Sequence, residues 1–255
     1  MTQTVAFVLT GMLVLGRITG LMMFLPGLSA RGIPRQVTIL LSVAISLLIA
    51  TSIPRVPVAE KLGIFMLGMG AEILLGVLLG LSVRAIFSSV ASAADLAASQ
   101  MGMGQASMSD PFLRGQESAL AVLAAWIAAV VFFLTGMHLR CLEAVAWSFD
   151  VIPPGQVGLP TGMAPTFVTA VTSSFTFAIQ LAGPILAMEW LTNLFIAILS
   201  KIAPKMNAFF AIGTTVNSIS AVAMFLVSLP WIVSVHSDAL IDAVENLQRL
   251  IREAR

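Results

Sequence analysis

The chain has 255 residues, of which 58% are hydrophobic and 10% charged, with a mean hydropathy of +1.01, values outside the range of soluble domains that describe an integral membrane protein. Thirteen basic and 12 acidic side chains give a net charge of +1 with no basic run to neutralise a line of phosphates, which excludes nucleic acid as a partner. A single cysteine, Cys141, excludes an internal disulfide, and no CxxC or paired-histidine spacing offers a metal site or suggests a cofactor.

A hydrocarbon core roughly 30 Å thick takes about 20 apolar helical residues. MTQTVAFVLT lacks the basic region and cleavage site of a secretory leader, so the first apolar segment is expected to stay as an anchor. That segment, 4–25, is apolar except for Arg17 and ends at Pro26. The run 37–53 is uncharged and ends at Pro54, and 63–83 holds one charge, Glu72. Ile86, Val90, Ala94, Ala97 and Met101 continue one helical face until Gly102 and Gly104 stop it. Asp110 followed by Pro111 fits an N-cap and first helical residue, leading into the uncharged run 119–135. The run 167–188 is apolar around Pro184, and 190–235 is broken at 200–205 and at Pro230.

The tail, 238–255, carries Leu240, Ile241, Val244, Leu247, Leu250 and Ile251 on one helical face, with acids toward its start and arginines toward its end. An amphipathic terminal helix is predicted, lying on the membrane surface or docked onto a partner protein. With no repeat and no low-complexity linker, the expectation is one domain over 1–255. The predicted fold is an all-α integral membrane protein of about six long apolar helices arranged as hairpins.

Orientation should follow from lysine and arginine concentrating on alternate loops. With six crossings, one side collects Arg55, Lys61, Arg140, Arg249, Arg252 and Arg255, and the other collects Arg31, Arg35, Arg84, Arg114, Lys201 and Lys205. This even split gives no topology, so either the segment count differs or the helices are not threaded in an ordinary zigzag.

Arg17, Glu72 and Glu189 lie in or beside apolar runs, where a charge at the bilayer centre costs about 2.5–3.5 kcal/mol on insertion scales. They could form an ion relay, but the chain has only 2 histidines and a relay needs a series of titratable groups. Structural pairing, Arg17 with a carboxylate such as Glu72, or exposure to a wet cavity is favoured. Gly76 and Gly80 have the GxxxG spacing that lets helix backbones approach, and the small residues of 88–99 suit close packing too. GxSxG, HExxH, P-loop and dinucleotide signatures are absent, and His138 has no second ligand at helical spacing, so no enzyme activity is expected.

Between the apolar runs lies SQMGMGQASMSDPFLRGQES, 99–118, a predicted loop between two helices. Met101, Met103 and Met108 supply side chains that adapt to a changing gap. Irregular backbone at membrane depth is tolerated only where it is buried in protein or lines a cavity, so this loop is either exposed outside the bilayer or enclosed.

Taken together, these positions resemble the R-type subunit family of the type III export gate, that of the flagellar protein FliR and its injectisome counterparts. The resemblance rests on Arg17, Gly20, Pro26 and Pro34; Glu72, Gly76 and Gly80; Gln100, Gly102, Asp110 and Pro111; GMH at 136–138; Ser148 with Pro153; and KIAPKMNAFFAIG at 201–213. Lys205 stands where the family usually has glutamine, and Thr214 and Thr215 where it has a nearby proline. The resemblance implies a helical subunit joining P-type and Q-type subunits in a spiral assembly in the bacterial inner membrane at the flagellar basal body, with some hairpins not spanning the bilayer. It further implies passage of unfolded flagellar proteins, in concert with the larger export-gate protein and the B-type protein. By the same resemblance, loop 102–118 is a pore plug involving Gln105, Met108, Asp110, Pro111, Phe112 and Gly115, with Met101 and Met103 as sealing contacts.

Two other readings compete. A small-molecule or ion secondary transporter fits six spans, Pro184 and the buried charges, against a thin ionisable set and no inverted repeat. An intramembrane hydrolase lacks any recognisable serine and histidine arrangement.

Overall fold

The computed structural model describes residues 2–27, 34–55, 62–100, 118–156, 163–202 and 213–253. Among them are seven α-helices and no strand: α1 Thr2–Phe24, α2 Arg35–Ser52, α3 Leu62–Gln100, α4 Ala119–Leu134, α5 Met137–Val151, α6 Met163–Ile202 and α7 Gly213–Glu253. Five are long and apolar enough to cross a membrane, and α4 with α5, bent by 62° at their junction, would make a sixth. The chain is an all-α, multi-pass membrane protein.

The helices run further than the apolar runs suggested. The run 167–188 continues through Glu189 and Trp190 to Ile202, and the amphipathic tail is the end of α7, not a separate helix, while α3 carries on to Gln100 as the helical face 86–101 predicted. Pro184 and Pro230 sit inside helices that continue past them. A hydropathy window breaks at Glu189 and at Pro230, but a helix stops only where backbone bonding fails. With 39, 40 and 41 residues, α3, α6 and α7 are each about 60 Å long, twice a roughly 30 Å hydrocarbon core. A helix of that length crossing such a core at an ordinary tilt would have about half its length beyond it.

The structure also divides 119–151 differently from the sequence reading. Gly136 adopts the left-handed conformation at φ 69° and separates α4 from α5. The turn is tied by the Gly136 N–H bonding to the Phe133 carbonyl at 3.1 Å.

The residues form two compact units, the first made of 1–86, 132–172 and 239–255 and the second of 87–131 and 173–238. In the first, α1 and α3 run parallel with their backbones in contact. A Cβ on Gly20 would come within 2.6 Å of the Ile73 carbonyl, one on Gly80 within 2.8 Å of the Leu21 carbonyl, and one on Gly76 would overlap the Arg17 carbonyl. Only hydrogen fits at these points, so the glycines set the helix separation. Helix α2 packs on α1 and buries Ser42, Ser46 and Ala50, spaced by four. Ser42 and Ser46 return their hydroxyls to the carbonyls of Thr38 and Ser42, and Leu40 and Leu48 point outward at 70% exposure each.

The second unit has an alanine-rich core. Ala93, Ala94, Ala97 and Ala98 of α3, Ala121, Ala124 and Ala128 of α4, Ala182 of α6 and Ala221 of α7 cluster with a few larger residues such as Leu181, Ile185, Phe225 and Ile232.

The crossing predicts a sharp contrast within α3. Gly76→Ala should lower the thermal unfolding midpoint of the purified protein, because the methyl group meets backbone and costs about 1–3 kcal/mol or more. Gly70→Ala, where a Cβ meets nothing within 4 Å, should leave it unchanged or raise it, since alanine favours the helix by about 1 kcal/mol. Equal effects at both positions would contradict the crossing.

Candidate functional site

The glycine crossing dictates what lies one turn away. Arg17 precedes Gly20 by three residues and Glu72 precedes Gly76 by four, so close parallel backbones bring the two charged side chains together. Arg17 Nε donates to Glu72 Oε2 at 2.6 Å and Nη2 donates to Oε1 at 3.1 Å, a bidentate pair with both side chains 1% exposed or less.

Further partners come from α5 and the turn after it. Arg17 Nη1 donates to Ser148 Oγ at 2.8 Å, Nη2 also donates to the Ile152 carbonyl at 3.0 Å, and the guanidinium lies 4.1 Å from the Phe149 ring centroid. Glu72 Oε1 accepts a second bond, 3.0 Å, from the Gly155 N–H. Gly155 is left-handed at φ 87°, and its backbone rests on Gly68 of α3, where a Cβ would approach its carbonyl to 3.2 Å. One ion pair thus ties together α1, α3, α5 and the turn at 152–155. The cluster pairs one basic with one acidic side chain and fixes the relative position of these elements.

Glu189 belongs to the second unit. It is 1% exposed on α6, and its Oε2 has no hydrogen-bond partner among the described residues. One turn further along, α6 and α7 share a polar seam: Thr192 Oγ1 bonds Ser220 Oγ at 3.3 Å, and Asn217 Nδ2 donates to Asn193 Oδ1 at 2.6 Å. His236 of α7 is also 1% exposed, lies against the rings of Phe87 and Phe177, and has neither ring nitrogen hydrogen-bonded among the described residues.

Met101, Met103, Gln105, Met108, Asp110, Pro111, Phe112 and Gly115 lie outside the described residues, as does the expected cap at Asp110 and Pro111. Their flanks are described. Ser118 accepts the Ala121 N–H on its hydroxyl at 3.1 Å, capping α4, and donates its own N–H to Asp95 Oδ1 of α3 at 3.1 Å. The chain therefore leaves α3 and enters α4 at neighbouring points, with 101–117 between them. Among the described residues no group of three or more His, Cys, Asp or Glu could hold a metal ion.

Sequence reasoning singled out Arg17 and Glu72 as costly charges but missed what surrounds them. Ser148 entered only through the resemblance, and Phe149, the Ile152 carbonyl and Gly155 carried no signal because their role depends on where a turn falls. Asp95, the seam asparagines and His236 were also missed. A polar residue inside an apolar run was the available clue for Asn193, Asn217 and His236.

Truncating one partner of the pair leaves a buried charge uncompensated. Glu72→Ala should therefore destabilise the protein by about 3–5 kcal/mol, while Arg17→Met with Glu72→Met should cost clearly less than the two single changes added. A thermal-unfolding double-mutant cycle measures this, and simple additivity would mean that the two side chains do not act as a pair.

Comparison with known proteins gives the chain's affiliation. The flagellar biosynthetic protein FliR of Caulobacter vibrioides is 23% identical over 232 residues, covering 89% of this chain and 90% of that protein. The FliR protein of Pectobacterium carotovorum is 30% identical over 207 residues, covering 79% and 78%. The Yop proteins translocation protein T of Yersinia pestis is 26% identical over 188 residues, covering 73% and 72%. Residues 8–243, which contain all seven of the described helices in whole or in part, match the family of bacterial export proteins, family 1, and the chain belongs to that family.

Proposed function

We propose that this chain is a subunit of the flagellar type III protein export apparatus in the bacterial inner membrane, at the flagellar basal body. Its work is to form, with P-type and Q-type subunits, the pore through which unfolded flagellar proteins leave the cytoplasm. The observation that carries this reading is the family match over nearly the whole chain, joined to relatives of nearly equal length that are named for flagellar biosynthesis. The relative named for Yop translocation supports the wider class, protein export by a type III system.

The physical features agree with such a role. Three helices of about 60 Å suit an assembly that projects from the bilayer better than a simple bundle of spans. Large outward apolar faces, among them Trp190, Leu191, Leu194 and Phe195 on α6, suit contact with lipid or with neighbouring subunits. The larger export-gate protein and the B-type protein are further partners in this reading. No covalent chemistry is assigned to the chain.

In this reading 102–118 is the plug. A pore wide enough for an extended polypeptide must hold back ions at rest and yield to substrate, and a methionine-bearing loop rooted at two adjacent helix ends suits both demands. Gln105, Met108, Asp110, Pro111, Phe112 and Gly115 form its body, and Met101 and Met103 seal against the wall. The buried pair of Arg17 and Glu72 fixes the helices of the first unit against one another.

Two measurements test the reading. Co-expression with P-type and Q-type subunits should yield one stable complex, and a chain that purifies alone would overturn the assembly. Deleting 104–115 in the assembled complex should make cells leak ions and small solutes. An intact complex with unchanged permeability would remove the plug role from this loop.

A further inference from the structure

Helices α6 and α7 pair in one antiparallel register. Phe177 stacks on His236 with ring centroids 6.4 Å apart, Thr192 bonds Ser220, and Asn193 bonds Asn217. Interpolating between these contacts sets Pro184 level with Ser228 and Pro230 level with Ala182. The two prolines therefore stand at almost the same height, about 3 Å apart along the helix axis.

A proline inside a helix has no N–H for the carbonyl four residues back and crowds that carbonyl with its ring. Pro184 does this to Gln180, and Pro230 to Leu226. If the two lay at different heights, each weak point would be splinted by the intact backbone of its partner helix. At one height they leave a plane in which each helix lacks a backbone hydrogen bond. The side chains level with the prolines are small and buried, Ala182 and Ser228, and Gly183 adjoins Pro184 with nothing within 4 Å of where its Cβ would be.

On either side of that plane the hairpin is held differently. Outboard, in 185–202 and 213–229, the Thr192–Ser220 and Asn193–Asn217 bonds tie the two helices to each other. Inboard, His236 sits against Phe177 and against Phe87 of α3. Just outboard of Pro184 is Glu189, whose buried Oε2 has no hydrogen-bond partner among the described residues. A carboxylate oxygen left unsatisfied in one conformer favours any second conformer that gives it a partner.

We propose that the facing prolines Pro184 and Pro230 make a hinge, about which the outboard half of the α6–α7 hairpin swings as one body. Ala221 and Phe225 of that half share a packed cluster with Ala97 and Ala98 of α3 and with Leu120 and Ala121 of α4, beside the points where 101–117 leaves and returns. The swing therefore displaces the root of that segment. This last step rests on the export-gate reading, in which the segment is the plug, whereas the hinge itself does not.

The test uses the full chain in the assembled export apparatus, in a Cys141→Ala background so that only introduced thiols take a spin label. Labels go on Ser92→Cys of α3 and Ile198→Cys of outboard α6, both exposed. Pulsed electron–electron distance measurement should give two populations in this background and collapse to one when Pro184→Ala and Pro230→Ala are added. A single narrow distance that the proline changes leave alone would overturn the hinge. Should the double proline variant not accumulate, the distribution without it decides between the two outcomes. Protein export by the same variant is read in parallel. A collapsed distribution with lost export supports both the hinge and its tie to the gate, whereas a collapsed distribution with normal export keeps the hinge and removes that tie.

Discussion

A guanidinium with no route to solvent must find every partner inside the protein, and the first unit is arranged around that demand. Arg17 reaches a carboxylate, a hydroxyl, a carbonyl and an aromatic face. These groups come from α3, from α5 and from the turn that follows α5, so the elements cannot shift independently without stranding a charge. The pair depends in turn on Gly20, Gly76 and Gly80, whose missing side chains let α1 and α3 approach until Arg17 and Glu72 overlap in height. Small residues come first in this hierarchy and the charges follow. In an apolar surrounding, where burying more leucine surface gains little, close backbone approach and internal polar bonds are the forces left to hold helices together.

The even split of lysine and arginine has a plain cause in helix length. A positive-inside count presumes that each apolar run is a span and each gap a loop at the membrane face. Here α3, α6 and α7 are about twice as long as the hydrocarbon is thick, so Arg84, inside α3, is not in a loop at all. Lys201 likewise sits in the last turn of α6. Charges assigned to loops are in part positions along continuous helices, and the count loses its meaning.

Much of the fold was nonetheless legible. The all-α class, the starts of α1, α2 and α3 and the close glycine crossing follow from composition and spacing, because each is set by residues near one another in sequence. Ends were less legible: α6 continues through Glu189 and α7 through Pro230, where the sequence reading placed breaks, although the face 86–101 had already carried α3 past Arg84. The candidate site was half visible. Arg17 and Glu72 stand out as charges in apolar runs, but Ser148, the Ile152 carbonyl and Gly155 matter only once α5 ends where it does. Such contacts between distant parts of the chain leave no periodic trace.

The two units also differ in what resists their motion. In the first, moving α1 against α3 would break a buried ion pair and separate touching backbones, so its free-energy well is narrow. In the second, the core is largely methyl groups, and its polar links include neutral bonds between α6 and α7 and an exposed contact between Asp95 and Ser118. Methyl surfaces present shallow ridges, neutral hydrogen bonds contribute on the order of 1 kcal/mol each, and neither penalises a small displacement steeply. Both paired prolines and both roots of 101–117 lie in this second unit. In the proposed gate, the buried charge pair would serve as the part that keeps its shape and the alanine- and proline-bearing unit as the part that yields.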